Sequence, residues 1–118
     1  MLIFLAGGLG TLCRYGLGKL LSTPLWAYGT MTVNVVGAFV MGLIATWTIE
    51  KFGSQNEILL VVGTGFLGGF TTFSAFALDS LHMWQSGRNG DAFIYAFLTL
   101  ALGFFGCCLG MVCMKRLM

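Results

Sequence analysis

Gly63-Thr64-Gly65-Phe66-Leu67-Gly68-Gly69-Phe70-Thr71-Thr72-Phe73-Ser74-Ala75-Phe76 lies inside a long apolar run, yet it carries four glycines, three threonines and a serine. Glycine is the poorest helix former after proline. Within hydrocarbon, every backbone N–H and C=O must find a partner inside the protein. Irregular backbone survives there only where it is buried in protein or lines a polar cavity. The stretch therefore predicts a helix broken at membrane depth, and a break at that depth predicts a functional centre through which an ion passes.

Composition sets that depth. The 118 residues are 58% hydrophobic and 8% charged, against roughly 25% charged residues in soluble domains. A spanning helix takes about 20 largely apolar residues, so the chain divides into four spans with no room for a soluble domain, linker or tail. The expected fold class is an all-α integral membrane protein with four transmembrane helices per subunit, in the lipid bilayer of the cell's inner or plasma membrane. The spans read as Leu2–Leu21, Trp26–Ile49, Ile58–Trp84 and Asp91–Met114. Pro24 marks the first turn; Glu50–Glu57 and Gln85–Gly90 are polar loops. The third span is long for one helix and is expected as two pieces joined at Gly68-Gly69, the break lying near Gly68–Thr72. Short loops make consecutive helices antiparallel neighbours. Gly65-x-x-x-Gly69 and Gly106-x-x-x-Gly110 fit the small-x-x-x-small pattern of closely approaching membrane helices. The N-terminus lacks the basic n-region of a cleaved signal peptide, so the first stretch reads as a retained span.

Several function classes drop out. A net charge of +2 gives no reason to expect nucleic acid as a partner. Cys13, Cys107, Cys108 and Cys113 all stand in apolar context without the paired ligand spacing of zinc sites, and read as packing residues. Gly63-Thr64-Gly65-Phe66-Leu67-Gly68 matches G-x-G-x-x-G, but that fingerprint needs a preceding strand, a following helix and an open crevice. Membrane-spanning flanks supply none of these. No nucleophile–base pair is present, so the chain does not read as an enzyme. Lys51, Lys115 and Arg116 fall on one side of a four-span layout, and Lys19 and Arg88, with Arg14, on the other. The positive-inside rule orients a protein by its Lys/Arg imbalance, and here there is almost none. Either other cues set a single orientation, or the chain inserts both ways up and two opposite copies build an antiparallel, dual-topology homodimer, the two-chain counterpart of inverted repeats; the second is the expectation.

The candidate site residues radiate from the break. Phe73 and Phe76 are three apart and share a helix face, with Asp79 and Ser80 extending the stripe. Aromatic rings are positive at their edges, so ring edges attract an anion without trapping it; two phenylalanines at helical spacing are also ordinary filler. Asn34, mid-span, must hydrogen-bond something: an anion, or a neighbouring helix. Thr30 lies one turn earlier on the same face. Arg14 either snorkels to the interface or raises anion concentration at a pore mouth. Asp79 is solvated or pairs with a residue of the fourth span, and His82 reads as interfacial. Tyr95, Thr99 and Gly103 repeat every four residues and read as a packing seam.

Three stretches of this chain resemble the motifs of the Fluc, or CrcB, family of fluoride channels. Gly7-Gly8-Leu9-Gly10-Thr11-Leu12-Cys13-Arg14-Tyr15 is similar to G-G-x-x-G-A-x-x-R-Y, with Thr11 for the usual alanine. Gly29-Thr30-Met31-Thr32-Val33-Asn34 with Gly37 is similar to G-T-x-x-V-N-x-x-G. Gly65 to Phe76 is similar to G-F-x-G-G-x-T-T-F-S-T-F, with Ala75 for the last threonine. The resemblance implies a passive fluoride channel that lowers cytoplasmic fluoride, built as an antiparallel homodimer with two pores. It makes Phe73 and Phe76 the ring-edge residues, Asn34 a donor to the ion, and Arg14 a residue near the pore entrance. Tyr95 and Thr99 become a polar track, and Ser74 and Thr30 further hydroxyls beside the pore. It also implies a structural sodium ion at the dimer centre, held by the backbone carbonyls of Gly68 and Thr71. Ala75, Ala77 and Gly103 replace residues that more often carry hydroxyls, thinning the polar track.

Two other readings compete. A small dual-topology drug/proton antiporter also has four spans, but it needs a membrane-embedded carboxylate, and the first two spans hold none before Glu50. A non-conducting subunit of a larger complex would leave the polar residues at the break without a purpose.

Overall fold

The computed structural model describes residues 1–118. The chain forms four helical rods: α1 (Leu2–Leu21), α2 (Tyr28–Phe52), a third rod in three pieces, and α5 (Asn89–Leu117). The third rod begins as a π-wound stretch (Leu59–Leu67), continues as a single turn, α3 (Gly68–Phe70), and resumes as α4 (Phe73–Gln85). Three segments are long and apolar enough to cross a membrane: α2, Leu59–Gln85 taken as one rod, and α5. The chain is thus a multi-pass membrane protein. α1, shorter and carrying Arg14 and Lys19, is not among the three.

Local chemistry sets the ends of these rods. Ser22 Oγ accepts the Gly29 N–H at 3.1 Å and Thr23 Oγ1 accepts the Trp26 N–H at 3.1 Å, so the turn before α2 takes up donors that a helix start leaves free. Asn56 Oδ1 accepts the Leu59 N–H at 2.7 Å and opens the third rod. Gly53 and Gly87 have positive φ, 86° and 77°, conformations that glycine adopts without steric penalty. The helices overrun the loops drawn from sequence: α2 reaches Phe52, and α5 begins at Asn89. Glu50–Phe52, Glu57, Gln85 and Asn89–Gly90 are helical, not loop.

The expected join at Gly68-Gly69 is displaced. Both glycines are helical, and helical backbone stops two residues later. Thr71 (φ −91°, ψ 157°) and Thr72 (φ −153°, ψ 119°) are extended. The glycines serve close approach instead. A Cβ at Gly69 would collide with the Gly7 carbonyl, and one at Gly10 with the Phe66 carbonyl, so α1 lies backbone to backbone against the third rod. α2 and α5 pack the same way: a Cβ at Gly42 would strike the Cys107 carbonyl, and one at Gly110 the Phe39 carbonyl. Without a hydrophobic force between helices in lipid, such contact area carries much of the association.

Only 17 of 118 residues are buried, so most apolar side chains face outward, as lipid solvation requires. The buried hydrophobic residues form two clusters flanking the break. Val33, Leu67 and Phe70 lie on one side, and Phe76, Met83, Ala92 and Tyr95 on the other. The 49 Å long dimension spans a bilayer of about 40–45 Å including headgroups.

The two kinds of glycine should separate under mutation. Gly42→Ala forces α2 from α5 and is expected to lower stability by about 1–3 kcal/mol. Gly90→Ala meets nothing within 4 Å and should be neutral or gain up to about 1 kcal/mol. Thermal unfolding in detergent, followed by circular dichroism, reads both.

Candidate functional site

The break at Thr71–Thr72 is held by side chains from two other rods. Asn34, on α2, donates its Nδ2–H to the Thr72 carbonyl at 2.9 Å and accepts the Thr72 N–H on Oδ1 at 2.7 Å. One amide thus substitutes for a strand partner and satisfies both backbone groups of the extended residue. Arg14, on α1, donates its Nε–H to the Gly69 carbonyl at 3.0 Å, with Thr11 Oγ1 at 3.5 Å from the same oxygen. Thr72 then restarts the helix as its N-cap, Oγ1 accepting the Ala75 N–H at 3.2 Å, a position threonine fills well.

These diversions leave two carbonyls without their helical donors. In a continuous helix, the Gly68 carbonyl would receive the Thr72 N–H, which goes to Asn34 instead. The Thr71 carbonyl would receive the Ala75 N–H, which goes to Thr72 Oγ1. Freed carbonyl oxygens are the donor type that hard cations prefer. No cluster of three or more His, Cys, Asp or Glu side chains could hold a metal, so backbone oxygen is the donor set on offer.

Two clefts flank Thr72. The first, about 380 Å³, is apolar with a polar rim, and Asn34, Thr72, Phe73, Phe76 and Thr99 are among its walls. The second, also about 380 Å³, has Arg14, Lys19, Ser22, Thr30 and Thr72 among its walls. It carries two cations and no carboxylate. Thr72 belongs to both. Phe73 and Phe76 are 5.5 Å apart between ring centroids, tilted by 46°. Phe76 is buried, stacked on Tyr95 at 5.8 Å, whereas Phe73 is 74% exposed.

The residues singled out from sequence therefore divide. Phe73, Phe76, Asn34 and Thr99 share the first cleft with Thr71; Arg14 and Thr30 share the second. Tyr95 and Ser74 line neither. Tyr95 is fully buried beneath Phe76 and Trp26, and its hydroxyl donates to Asp79 Oδ2 at 3.3 Å. It braces Phe76 from behind, and it is the α5 partner of Asp79. Ser74 lies outside, 3.3 Å from Thr72 Oγ1. Thr71 spends its hydroxyl on the Leu67 carbonyl at 2.9 Å. Asn34 is committed to Thr72, leaving its second amide hydrogen for a ligand.

Residues absent from the sequence-derived set are Thr72 and Lys19. Thr72 left a readable signal: a threonine immediately before a helical stripe is an N-cap candidate. Lys19 shares α1 with Arg14, but its place in the cleft depends on how α1 packs against α2.

A family model described as CrcB-like protein, Camphor Resistance (CrcB), matches residues 1–111. The fluoride-specific ion channel FluC of Rhizobium leguminosarum bv. trifolii (strain WSM2304) is 38% identical over 120 residues, covering 99% of this chain and 96% of that protein. The protein of the same name from Caulobacter vibrioides (strain NA1000 / CB15N) is 42% identical over 106 residues, covering 86% and 84%. The one from Mesorhizobium japonicum (strain LMG 29417 / CECT 9101 / MAFF 303099) is 42% identical over 103 residues, covering 85% and 82%.

Asn34 substitutions test how the break is held. Asn34→Val strands the Thr72 N–H and C=O, each expected to cost about 1–3 kcal/mol. Asn34→Gln keeps both an amide donor and an amide acceptor, one methylene further out, so its loss should be smaller. Detergent melting temperatures of the two variants, ranked against the parent, check the order.

Proposed function

The chain belongs to the CrcB-like protein family, and on that premise we propose that it is a fluoride channel. It passes fluoride passively through the membrane of the cell and lowers the cytoplasmic concentration. The relatives carry the name of a channel, which sets the chain apart from enzymes.

The observation that carries the reading is the meeting of a cationic cleft and an aromatic cleft at one threonine, Thr72. Arg14 and Lys19 raise anion concentration at a mouth walled by low-dielectric protein. Beyond Thr72 the ion meets no fixed cation. Fluoride is small and strongly hydrated, so its water must be replaced by several donors that each hold it weakly enough for exit. The free Asn34 amide hydrogen, the hydroxyls of Thr72 and Thr99, and the ring edges of Phe73 and Phe76 are such donors. Chloride, larger and softer, gains less from compact hard donors.

The working unit in this proposal is an antiparallel homodimer with two pores, in which α1 is the fourth membrane span. Three features support it. Lys and Arg are nearly balanced between the two sides of the four-rod layout. Phe73 stands 74% exposed beside a pore-sized cleft, where a second copy would close the wall. The Gly68 and Thr71 carbonyls lack helical donors, and as a pair from each copy they would hold a structural sodium ion between subunits. When bound, sodium would supply positive charge that offsets these oxygens and ties the two breaks together.

Purified protein in liposomes loaded with potassium fluoride should release fluoride when valinomycin dissipates the potential. Phe73→Ile and Phe76→Ile each remove a ring edge while keeping an apolar side chain. Release should slow by about tenfold or more, equivalent to ~1.4 kcal/mol of barrier. A fluoride electrode records it. Unchanged rates in both variants would remove the rings from the path.

A further inference from the structure

Tyr95, Thr99, Gly103 and Cys107 recur every four residues along one face of α5, and the last three line the Phe73/Phe76 cleft. Several other hydroxyls in the chain are spent on the backbone. Thr11, Thr48, Thr71, Ser80 and Ser86 each donate to the carbonyl four residues earlier. Thr99 does not: its residue is 5% exposed, and its Oγ1 is buried with no partner. A buried hydroxyl without a partner marks a place for a small polar species. One turn further, Gly103 presents no side chain, and a Cβ there would meet nothing within 4 Å. The cleft therefore continues past Gly103 to Cys107, a half-buried free thiol. Thr99 and Cys107 line one cleft, and access is one of the factors that decide which cysteine reacts.

We propose that Cys107 is a covalent modification site for small thiol-directed electrophiles, and that a group attached there blocks the anion path in front of Thr99. The second half rests on the channel reading of the cleft. With methyl methanethiosulfonate as the probe, the Cys107 thiol gives its proton to buffer and the thiolate attacks the sulfenyl sulfur. A sulfur–sulfur bond forms, and methanesulfinate leaves with the electron pair of the broken bond. Dithiothreitol, a two-electron dithiol reductant, reverses the step: it releases methanethiol, restores the Cys107 thiol and becomes the cyclic disulfide.

The test uses the full chain in liposomes and two backgrounds: Cys13→Ser/Cys108→Ser/Cys113→Ser, which keeps only Cys107, and Cys107→Ser. Peptide mass spectrometry follows labelling, and a fluoride electrode follows efflux. The expected result is labelling at Cys107 with loss of most fluoride efflux, restored by dithiothreitol. The Cys107→Ser protein should keep its own untreated rate under the reagent. Gly103→Val, added to the first background, should slow labelling of Cys107 by closing the approach. Absence of labelling at Cys107, or full labelling with undiminished efflux, overturns the proposal. So does labelling that Gly103→Val leaves equally fast. If the untreated protein passes no fluoride, the channel reading fails by itself, while labelling and its dependence on residue 103 still decide the modification site.

Discussion

The structure depends on holding two extended residues inside an apolar rod. Thr71 and Thr72 leave the helix within a segment apolar enough to cross a membrane, where backbone groups need partners inside the protein, and the chain supplies those of Thr72 from elsewhere. Asn34 pairs with both polar groups of Thr72, and Arg14 takes the Gly69 carbonyl. Those bonds reach across 38 and 55 residues of sequence. They fix α1 and α2 against the third rod, and the glycine contacts let the backbones approach closely enough for the bonds to form. A break of this kind could not persist in an isolated helix.

The same bonds shape the surface proposed to carry the ion. By drawing Thr72 toward α2, Asn34 sets that residue between a cleft walled by Arg14 and Lys19 and one walled by Phe73 and Phe76. By diverting N–H groups from the Gly68 and Thr71 carbonyls, the break exposes oxygen close to where it offers amide, hydroxyl and ring edge. Cation-preferring and anion-preferring groups thus arise from a single interruption. Behind the rings, Tyr95 is fixed between Phe76 and Asp79, so Phe76 has a rigid backing while Phe73 stands open at the cleft.

Much of this was legible in the residues. Low charge and long apolar runs dictate membrane helices, and the dense glycine and threonine of Gly63–Phe76 marks where the third rod is irregular. The position of the break was less legible. Glycine propensity pointed to Gly68-Gly69, but propensity yields to packing: those glycines stay helical and admit α1, and the chain departs from the helix where side chains outcompete the i,i+4 bond. The same limit applies to Asn34. Its polarity at mid-span demanded a partner, but only tertiary placement decides that the partner is mainly Thr72. Tyr95 and Thr99 share a helix face, yet one is sealed under Phe76 and the other faces a cleft. That difference is set by where α4 crosses α5, which no spacing rule reports. The resemblance to a known family supplied the ion, which the physics of the break alone left unnamed.

In the proposed function, this break forms a path for fluoride in preference to chloride. The most direct measurement is paired fluoride and chloride electrode traces from one preparation of liposomes holding both anions and the purified protein. Prompt fluoride release is expected while chloride stays inside. Chloride release at comparable speed, or fluoride retention equal to protein-free vesicles, would contradict it.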